Sequence, residues 1–367
     1  MDIGANNKNL CFNLRETRQH KFSRGRLGNL KRKLYITGTI ITVLFLAAMI
    51  FLFNKYNLTV TDGKSLAQAR EYKKHYVMIS KNISTPFWQS VYESAKKEAE
   101  DNNIYLEQIG SNLTEKYSIA DYLRISIASK VDGIIVCPDG SDNVTEWINE
   151  AAKKGIPVIT ILNDDMDTKR VSFVGINSYE LGLVYGEQIL DQINKDTKNI
   201  RVLFHSSESN STNDVVFNQI KKNLNDKLGE NRVNISPYYI SDDNEFDSEE
   251  AIRDIFIAQK DLPDILVCME EVDTECACQA IVDYNKVGKV TIIGSYSSEA
   301  ILEAIRKGLA AVTVAMDTVQ LGKQSVQALL EYQEMGYVNN YYNVDLHIIN
   351  KKNVQAYEEE LKADLED

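Results

Sequence analysis

The sequence predicts an α/β protein with parallel sheets, split into two stacked domains and preceded by one membrane-spanning helix. Three observations carry this. Short β-branched apolar runs alternate with amphipathic runs and are joined by a few residues each, the pattern of parallel sheets covered by helices on both faces. About ten such strands occur, too many for one core of roughly 280 residues. Finally, LYITGTIITVLFLAAMIFLF, residues 34–53, contains no charge.

That uncharged run spans about 30 Å as a helix, the thickness of a bilayer's hydrocarbon core. The 33 residues before it carry nine Lys or Arg against Asp2 and Glu16, a net of +7, so a chain of net −12 leaves −19 for the remainder. Basic residues before a span put the N-terminus in the cytoplasm and everything after it outside. A cleaved secretory signal has a shorter apolar core and a small-residue cleavage site, and FNKYNLT offers none. The segment is therefore expected to stay as an anchor. The expected order is a basic cytoplasmic arm (1–33), the anchor (34–53) and a polar linker (54–74).

Strands follow at HYVMIS (from His75), IYLEQI (from Ile104), GIIVC (from Gly133), PVITIL (from Pro157) and VSFVGI (from Val171). A second set lies at NIRVLFH (from Asn199), NISPYYI (from Asn234), DILVCM (from Asp264), KVTIIG (from Lys289) and AAVTVAM (from Ala310). After the first strand, Thr85 and Pro86 read as an N-cap with proline at the first helical position. Phe87, Val91, Ala95 and Ala99 then recur every four residues, leaving Glu93, Lys96, Lys97 and Glu100 on the wet side.

The five cysteines suggest no disulfide framework. Cys276 and Cys278 lie two apart on a predicted helix, on different faces. No His stands near them to complete a zinc site, so they read as small buried apolar groups.

Catalytic motifs are missing: there is no glycine-rich phosphate loop, no G-x-S-x-G and no H-E-x-x-H. The acidic pairs Asp164-Asp165 and Glu270-Glu271 fall in turns after strands, where solvated carboxylates are common. No cofactor is implied, and the chain is expected to bind rather than to react. Polar side chains gather at strand ends: Lys81 and Asn82, Asn163 and Asp164, Asn177, Asn210 and Asn213, Glu270 and Glu271, and Tyr296. With Phe87 and Trp88 they form the set a polyhydroxylated ligand needs, aromatic faces for its apolar ring faces and amides or carboxylates for its hydroxyls. The bland alternatives are core packing for the two aromatics and helix capping for the amides.

The stretches VMISKNISTPFWQSVYESAKKEAE, DGIIVCPDGSD, AAKKGIPVITILNDDMDTKRVSFVGINSYELGLVYGEQI and AILEAIRKGLAAVTVAMDTVQLGKQSVQALLEY resemble the sugar-binding members of the type I periplasmic binding proteins, over about Tyr76 to Asn350. The resemblance implies two Rossmann-like lobes joined by three crossovers, closing on a ligand like a hinge. It divides the chain into a first lobe of 75–177 plus 317–340, a second lobe of 178–316 plus 341–352, and an acidic tail of 353–367. It implies that Thr85, Phe87 and Trp88 face the interlobe cleft. Other positions depart from the pentose-binding pattern: Leu162-Asn163 stands where Asp-Arg is expected, Asn213 replaces an arginine, and Glu270-Glu271 replaces Asn-Asp. Tyr296 stands for an aspartate and Met316 for a glutamine. The scaffold is kept while the pocket is rewritten.

The lactose-repressor family shares this fold. Here a basic arm and a membrane span stand where its DNA-reading domain would be, and an outer part of net −19 repels phosphates, so no nucleic-acid partner is expected. The expectation is a membrane-anchored, outward-facing solute-binding protein that holds a sugar or related small polar molecule. As usual in the family, it would deliver to the permease of an ABC importer. A sensor role is the alternative, with the loaded form docking on a membrane histidine kinase. A cleft hydrolase is the third reading.

Overall fold

The computed structural model describes residues 45–49, 72–81, 83–111, 117–205, 211–241, 246–258 and 262–366. The chain divides into two compact units, Met1–Arg70 and Glu71–Asp367. Of the first, only the helical residues Phe45–Met49 are described, so the basic arm and nearly all of the expected anchor and linker lie outside the described residues. Among the described residues no helix is long and apolar enough to cross a membrane.

The second unit is the α/β body. Its strands are β1 (Lys74–Ile79), β2 (Ile104–Gln108), β3 (Gly133–Val136), β4 (Val158–Ile161), β5 (Ser172–Gly175), β6 (Asn199–His205), β7 (Asn234–Ile240), β8 (Ile265–Cys268), β9 (Thr291–Ser295), β10 (Val312–Met316), β11 (Tyr341–Asn343) and β12 (Leu346–Asn350). Its helices are α1 (Pro86–Asp101), α2 (Ile119–Ala128), α3 (Asp142–Lys153), α4 (Ser178–Gln192), α5 (Ser211–Leu228), α6 (Asp247–Ile257), α7 (Glu271–Asp283), α8 (Glu299–Lys307), α9 (Thr318–Met335) and α10 (Val354–Glu366).

Two six-stranded sheets result, in the orders β11-β5-β4-β3-β1-β2 and β12-β10-β9-β8-β6-β7. The first is parallel throughout, and in the second only β12 runs against its neighbour, β10. Alternation along each strand sends side chains to two separate cores. Met78, Ile135, Ile159 and Val174 join the α1 and α9 side, while Val77, Ile79, Ile134 and Val158 join the α2 and α3 side. Burial on both faces explains why these strands read as continuous apolar runs.

The strand order carries the chain from one sheet to the other three times, after β5, after β10 and after β11. The helix that follows each of the first two crossings packs on the lobe it enters: α4 lies on α5, and α9 lies on α1. Both contacts use glycine. A Cβ on Gly322 of α9 would meet the Val91 carbonyl oxygen at 2.3 Å, and one on Gly182 of α4 would meet the Val216 carbonyl oxygen at 2.7 Å.

Two boundaries read from sequence change. Tyr341–Asn343 pairs in parallel with Phe173–Gly175 and so belongs to the first sheet, not to the second lobe. The acidic tail is mostly the helix α10, fastened to the second lobe by Glu358 on Arg306 at 2.5 Å and by the Tyr357 hydroxyl on Ser297 Oγ at 3.0 Å.

Candidate functional site

At the carboxyl end of β1, Thr85 caps α1 in an extended conformation, and its Oγ1 accepts the Trp88 N–H at 3.4 Å. With Pro86 fixing the first helical turn, Phe87 and Trp88 are held together, each 7 % exposed, edge to face at 5.3 Å. Phe87 also meets Tyr296 edge to face at 4.7 Å. Tyr296 follows β9, in the other sheet, so this turn lies between the lobes.

Tyr296 sits there at φ +67, and Leu162, the residue that follows β4 in the first lobe, at φ +64. The left-handed region costs a bulky residue about 1–2 kcal/mol, and such residues gather at functional sites. Here both are held by neighbouring strands: the Tyr296 N–H donates to the Val314 carbonyl at 3.0 Å and the Leu162 N–H to the Val174 carbonyl at 3.1 Å. β4 and β9 occupy the same place in their sheets, so the two lobes turn the chain into the cleft in the same way.

The second lobe adds carboxylates. Glu270 stands at the N-cap of α7 with its side chain making no cap bond. Its charge is felt by three groups. Burial chiefly, and Glu270 in addition, hold the Tyr296 and Tyr185 phenols above the ordinary tyrosine range. Burial likewise pushes the Cys137 thiol up to about 12 against a hydrogen bond from the Asn163 backbone, and Glu270 adds to the rise. Cys137 follows the first-lobe strand β3, so Glu270 acts across the interface between lobes. The Tyr185 hydroxyl is 2.5 Å from Ser295 Oγ, and the Ser295 hydroxyl donates to the Cys268 carbonyl at 2.6 Å. Glu271, 8 % exposed, is pushed up to about 7 by burial and then by Glu275. Its Oε1 is buried with no hydrogen-bond partner.

The structure therefore gathers part of the expected set. Phe87, Trp88 and Met316 share one buried cluster, with Tyr296 and Leu162 packed against it, and Glu270 stands beside them. Thr85 is the cap expected of it. Lys81 is exposed at the end of β1, and exposed Asn163 reaches the Pro138 carbonyl at 3.4 Å, tying two rim turns together.

Three residues are occupied with the fold. Asp164, expected to meet ligand, is clamped by Arg170 at 2.5 and 2.7 Å and accepts from the Thr160 hydroxyl at 2.9 Å. Arg170 continues to the Asn340 carbonyl at 3.1 Å, so this carboxylate fastens a loop to the residue that enters β11. Asn177 caps α4 by accepting the Glu180 N–H at 2.8 Å. Asn213 donates to the His205 carbonyl at 3.2 Å and ties α5 to β6. Asn82 and Asn210 lie outside the described residues.

Residues not singled out in the sequence for these roles are Leu162, Tyr185 and Cys137, together with the burial of Glu271. The adjacent acids at a strand end were visible, but the reading that both are solvated is wrong for Glu271, because packing of the first turn of α7 encloses it. Among the described residues no group of three or more His, Cys, Asp or Glu is placed to hold a metal ion, and Cys137, Cys268, Cys276 and Cys278 are free.

The family model for the periplasmic binding protein domain matches residues 76–336. Among solved structures, a glucose-galactose binding protein from Geobacillus stearothermophilus is 22 % identical with a TM-score of 0.67, covering 76 % of this chain and 98 % of its own. An ABC transporter solute binding protein from Burkholderia graminis, in complex with D-arabinose, is 16 % identical with a TM-score of 0.69, covering 78 % of this chain and 98 % of its own. A chain of the XylFII-LytSN complex is 24 % identical with a TM-score of 0.66, covering 76 % and 98 %. These likenesses establish the fold. No curated protein sequence matches the chain. The chain belongs to the periplasmic binding protein domain family.

Proposed function

We propose that this member of the periplasmic binding protein family is an extracytoplasmic solute-binding protein that captures a sugar in the cleft between its two lobes and releases it unchanged. The observation that carries the reading is the meeting of Phe87 with Tyr296 across the lobes at 4.7 Å, beside Glu270. Aromatic rings from one lobe and a carboxylate from the other give a pyranose or furanose its apolar and its polar partners. Support also comes from the similar chains described as glucose-galactose binding and as holding D-arabinose. The uncharged run 34–53, behind a basic arm, would anchor the protein with its N-terminus in the cytoplasm and its lobes outside.

The captured sugar is passed to the permease of an ABC importer, the role that the solute binding protein from Burkholderia graminis supports. One observation favours a second reading: a chain of the same fold was solved within the XylFII-LytSN complex. In that reading the loaded lobes dock on the outer domain of a membrane histidine kinase, to which a permanent anchor would keep them close.

The test uses the full chain in detergent. Its apparent melting temperature is followed against pentoses and hexoses, and each sugar is recovered and checked for chemical change. A saturable rise is expected, since a ligand that binds only the native state stabilises it by mass action. No rise with any sugar, or a consumed sugar, overturns the reading. Crosslinking in membranes followed by identification of the partner separates permease from kinase.

A further inference from the structure

We infer that the captured ligand carries a positively charged nitrogen, making it an amino sugar rather than a neutral one, with Glu270 and Glu271 supplying the counter-charge. The inference rests on the sugar-binding reading above and concerns the same cleft.

The rim of the second lobe presents two consecutive carboxylates at the start of α7. Glu271 is more than nine-tenths buried, and its Oε1 has no hydrogen-bond partner. It stands at the carboxyl end of the second sheet, after β8 and next to β9, and Thr274 one turn on accepts the N–H of Ser295, whose neighbour Tyr296 packs on Phe87. Buried carboxylates in folded proteins are paired or hydrogen-bonded, and one left otherwise marks a place where something else must bind. Burial and Glu275 disfavour its ionised form, so a cation bound beside it is what would hold the charge there, and no backbone N–H satisfies this oxygen.

Glu275, one turn on along α7, repels the Glu271 charge. A hydroxyl donor from a neutral sugar would satisfy a lone pair and leave the charge uncompensated. An ammonium supplies both, as a charge-assisted hydrogen bond. The adjoining Phe87 and Tyr296 rings add attraction for a cation. The net charge of −19 outside the basic arm draws cations toward the protein.

The experiment is calorimetric titration of the full chain in detergent at pH 7 with matched pairs: D-glucosamine against D-glucose and D-galactosamine against D-galactose. N-acetylglucosamine serves as an uncharged control and putrescine as an amine without a sugar ring. At least one amino sugar is expected to bind about tenfold or more tightly than its neutral parent and its acetylated form, a difference of about 1.4 kcal/mol. Glu271→Gln should abolish that preference, weakening the amino sugar about tenfold or more so that it binds no tighter than its acetylated form. Glu270→Gln provides a second variant should the first fail to fold.

Equal or tighter binding of the neutral sugars overturns the inference and leaves the sugar-binding function standing. Putrescine binding with no sugar bound keeps the cation and overturns the sugar. Failure of every probe to bind overturns both.

Discussion

The two lobes are built alike and furnished differently. Each has five parallel strands in equivalent order, each turns a bulky residue into the left-handed region after its fourth strand, and each receives a crossing helix through a glycine contact. Yet the first lobe's rim is apolar, with Phe87 and Trp88 buried among Leu162, Cys137 and Met316, and its nearby carboxylate Asp164 is neutralised by Arg170. The second lobe's rim keeps Glu270 and Glu271, the latter enclosed and without a partner. One half of the cleft therefore contributes to the core, and the other half is held against stability. The backbone symmetry belongs to the fold, whereas the asymmetry of side chains belongs to the ligand.

The largest effect should come from the first-lobe rim. Trp88→Ala removes a buried ring from the cluster that joins α1 to Met316 and Leu162. A loss of about 4 kcal/mol is expected, the usual cost of emptying a large aromatic site. Urea unfolding of the full chain measures it. A loss below about 1 kcal/mol would mean that Trp88 is a cleft ring only, and the two rims would then be alike after all.

The next effect probes the symmetry itself. Gly322→Ala places a methyl 2.3 Å from the Val91 carbonyl oxygen and 2.8 Å from the Ala95 nitrogen, both backbone atoms of α1 that cannot turn aside. About 3 kcal/mol should be lost as the helices part. Gly182→Ala meets the Gln219 Cβ and the Val216 carbonyl oxygen, each at 2.7 Å, and should lose about 2 kcal/mol. Unfolding of the two variants side by side checks this, and a harmless substitution at either glycine would remove that lobe from the comparison.

How much of this the sequence discloses follows from what each feature depends on. The eight strands inside the two sheets are apolar runs bounded by turns, and burial on both faces is written into them. The edge strands β11 and β12 are not, because NYYNVDLHIIN mixes aromatic and polar residues, and which sheet Tyr341–Asn343 joins depends on Phe173 being next to it in space. The same divide runs through the site. Thr85-Pro86 is a local signal and gives a local result, a cap. Asp164 is acidic at a strand end, as a ligand contact would be, and only its distance to Arg170, six residues on, reveals a clamp. Glu271 reads as a solvated turn residue until the fold encloses it, and nothing in the sequence separates it from Glu270. Positive φ at Leu162 and Tyr296 has no sequence mark either, since neither is a residue that favours it.

The second-lobe rim should respond in the opposite direction. Glu271 is held up to about 7 by burial and by Glu275, against about 4.3 in an unfolded chain. Between those values the folded protein binds the extra proton, so stability falls as pH rises through this window. Glu271→Gln removes the charge and the penalty together. A gain of about 2 kcal/mol is expected at pH 8, with solvent screening trimming the full linkage value, and no gain at pH 4. A variant less stable than the parent at pH 8 would show that the carboxylate contributes to the fold, and the contrast with Trp88 would collapse.

The smallest effect lies where the lobes are joined. Asp317 starts the second crossing and His347 lies on β12, just after the third, with His347 Nε2 3.7 Å from Asp317 Oδ2. The crossings are also stitched by the Asp317 N–H to the Asp345 carbonyl at 3.0 Å and by the Asp345 N–H to Gln320 Oε1 at 2.6 Å. The ion pair with Asp317 holds His347 above the ordinary histidine range, against the pull of burial. Burial draws the Asp317 carboxyl upward, but the ion pair with His347 and the hydrogen bond from the Gln320 N–H outweigh it and leave it low. The His contribution is complete below the unfolded histidine value and is lost as pH rises through the higher folded value. The Asp contribution is complete above the unfolded carboxylate value and is lost as pH falls through the lower folded one. The pair therefore stabilises the joint between those limits. His347→Gln should lose less than about 1 kcal/mol at pH 5.5, because both groups are partly exposed, and nothing at pH 9. Unfolding at the two pH values measures it. A loss that persists at pH 9 would mean that His347 serves by packing on Tyr357, 5.3 Å away, rather than by its charge, and that the joint between two unlike rims is itself insensitive to pH.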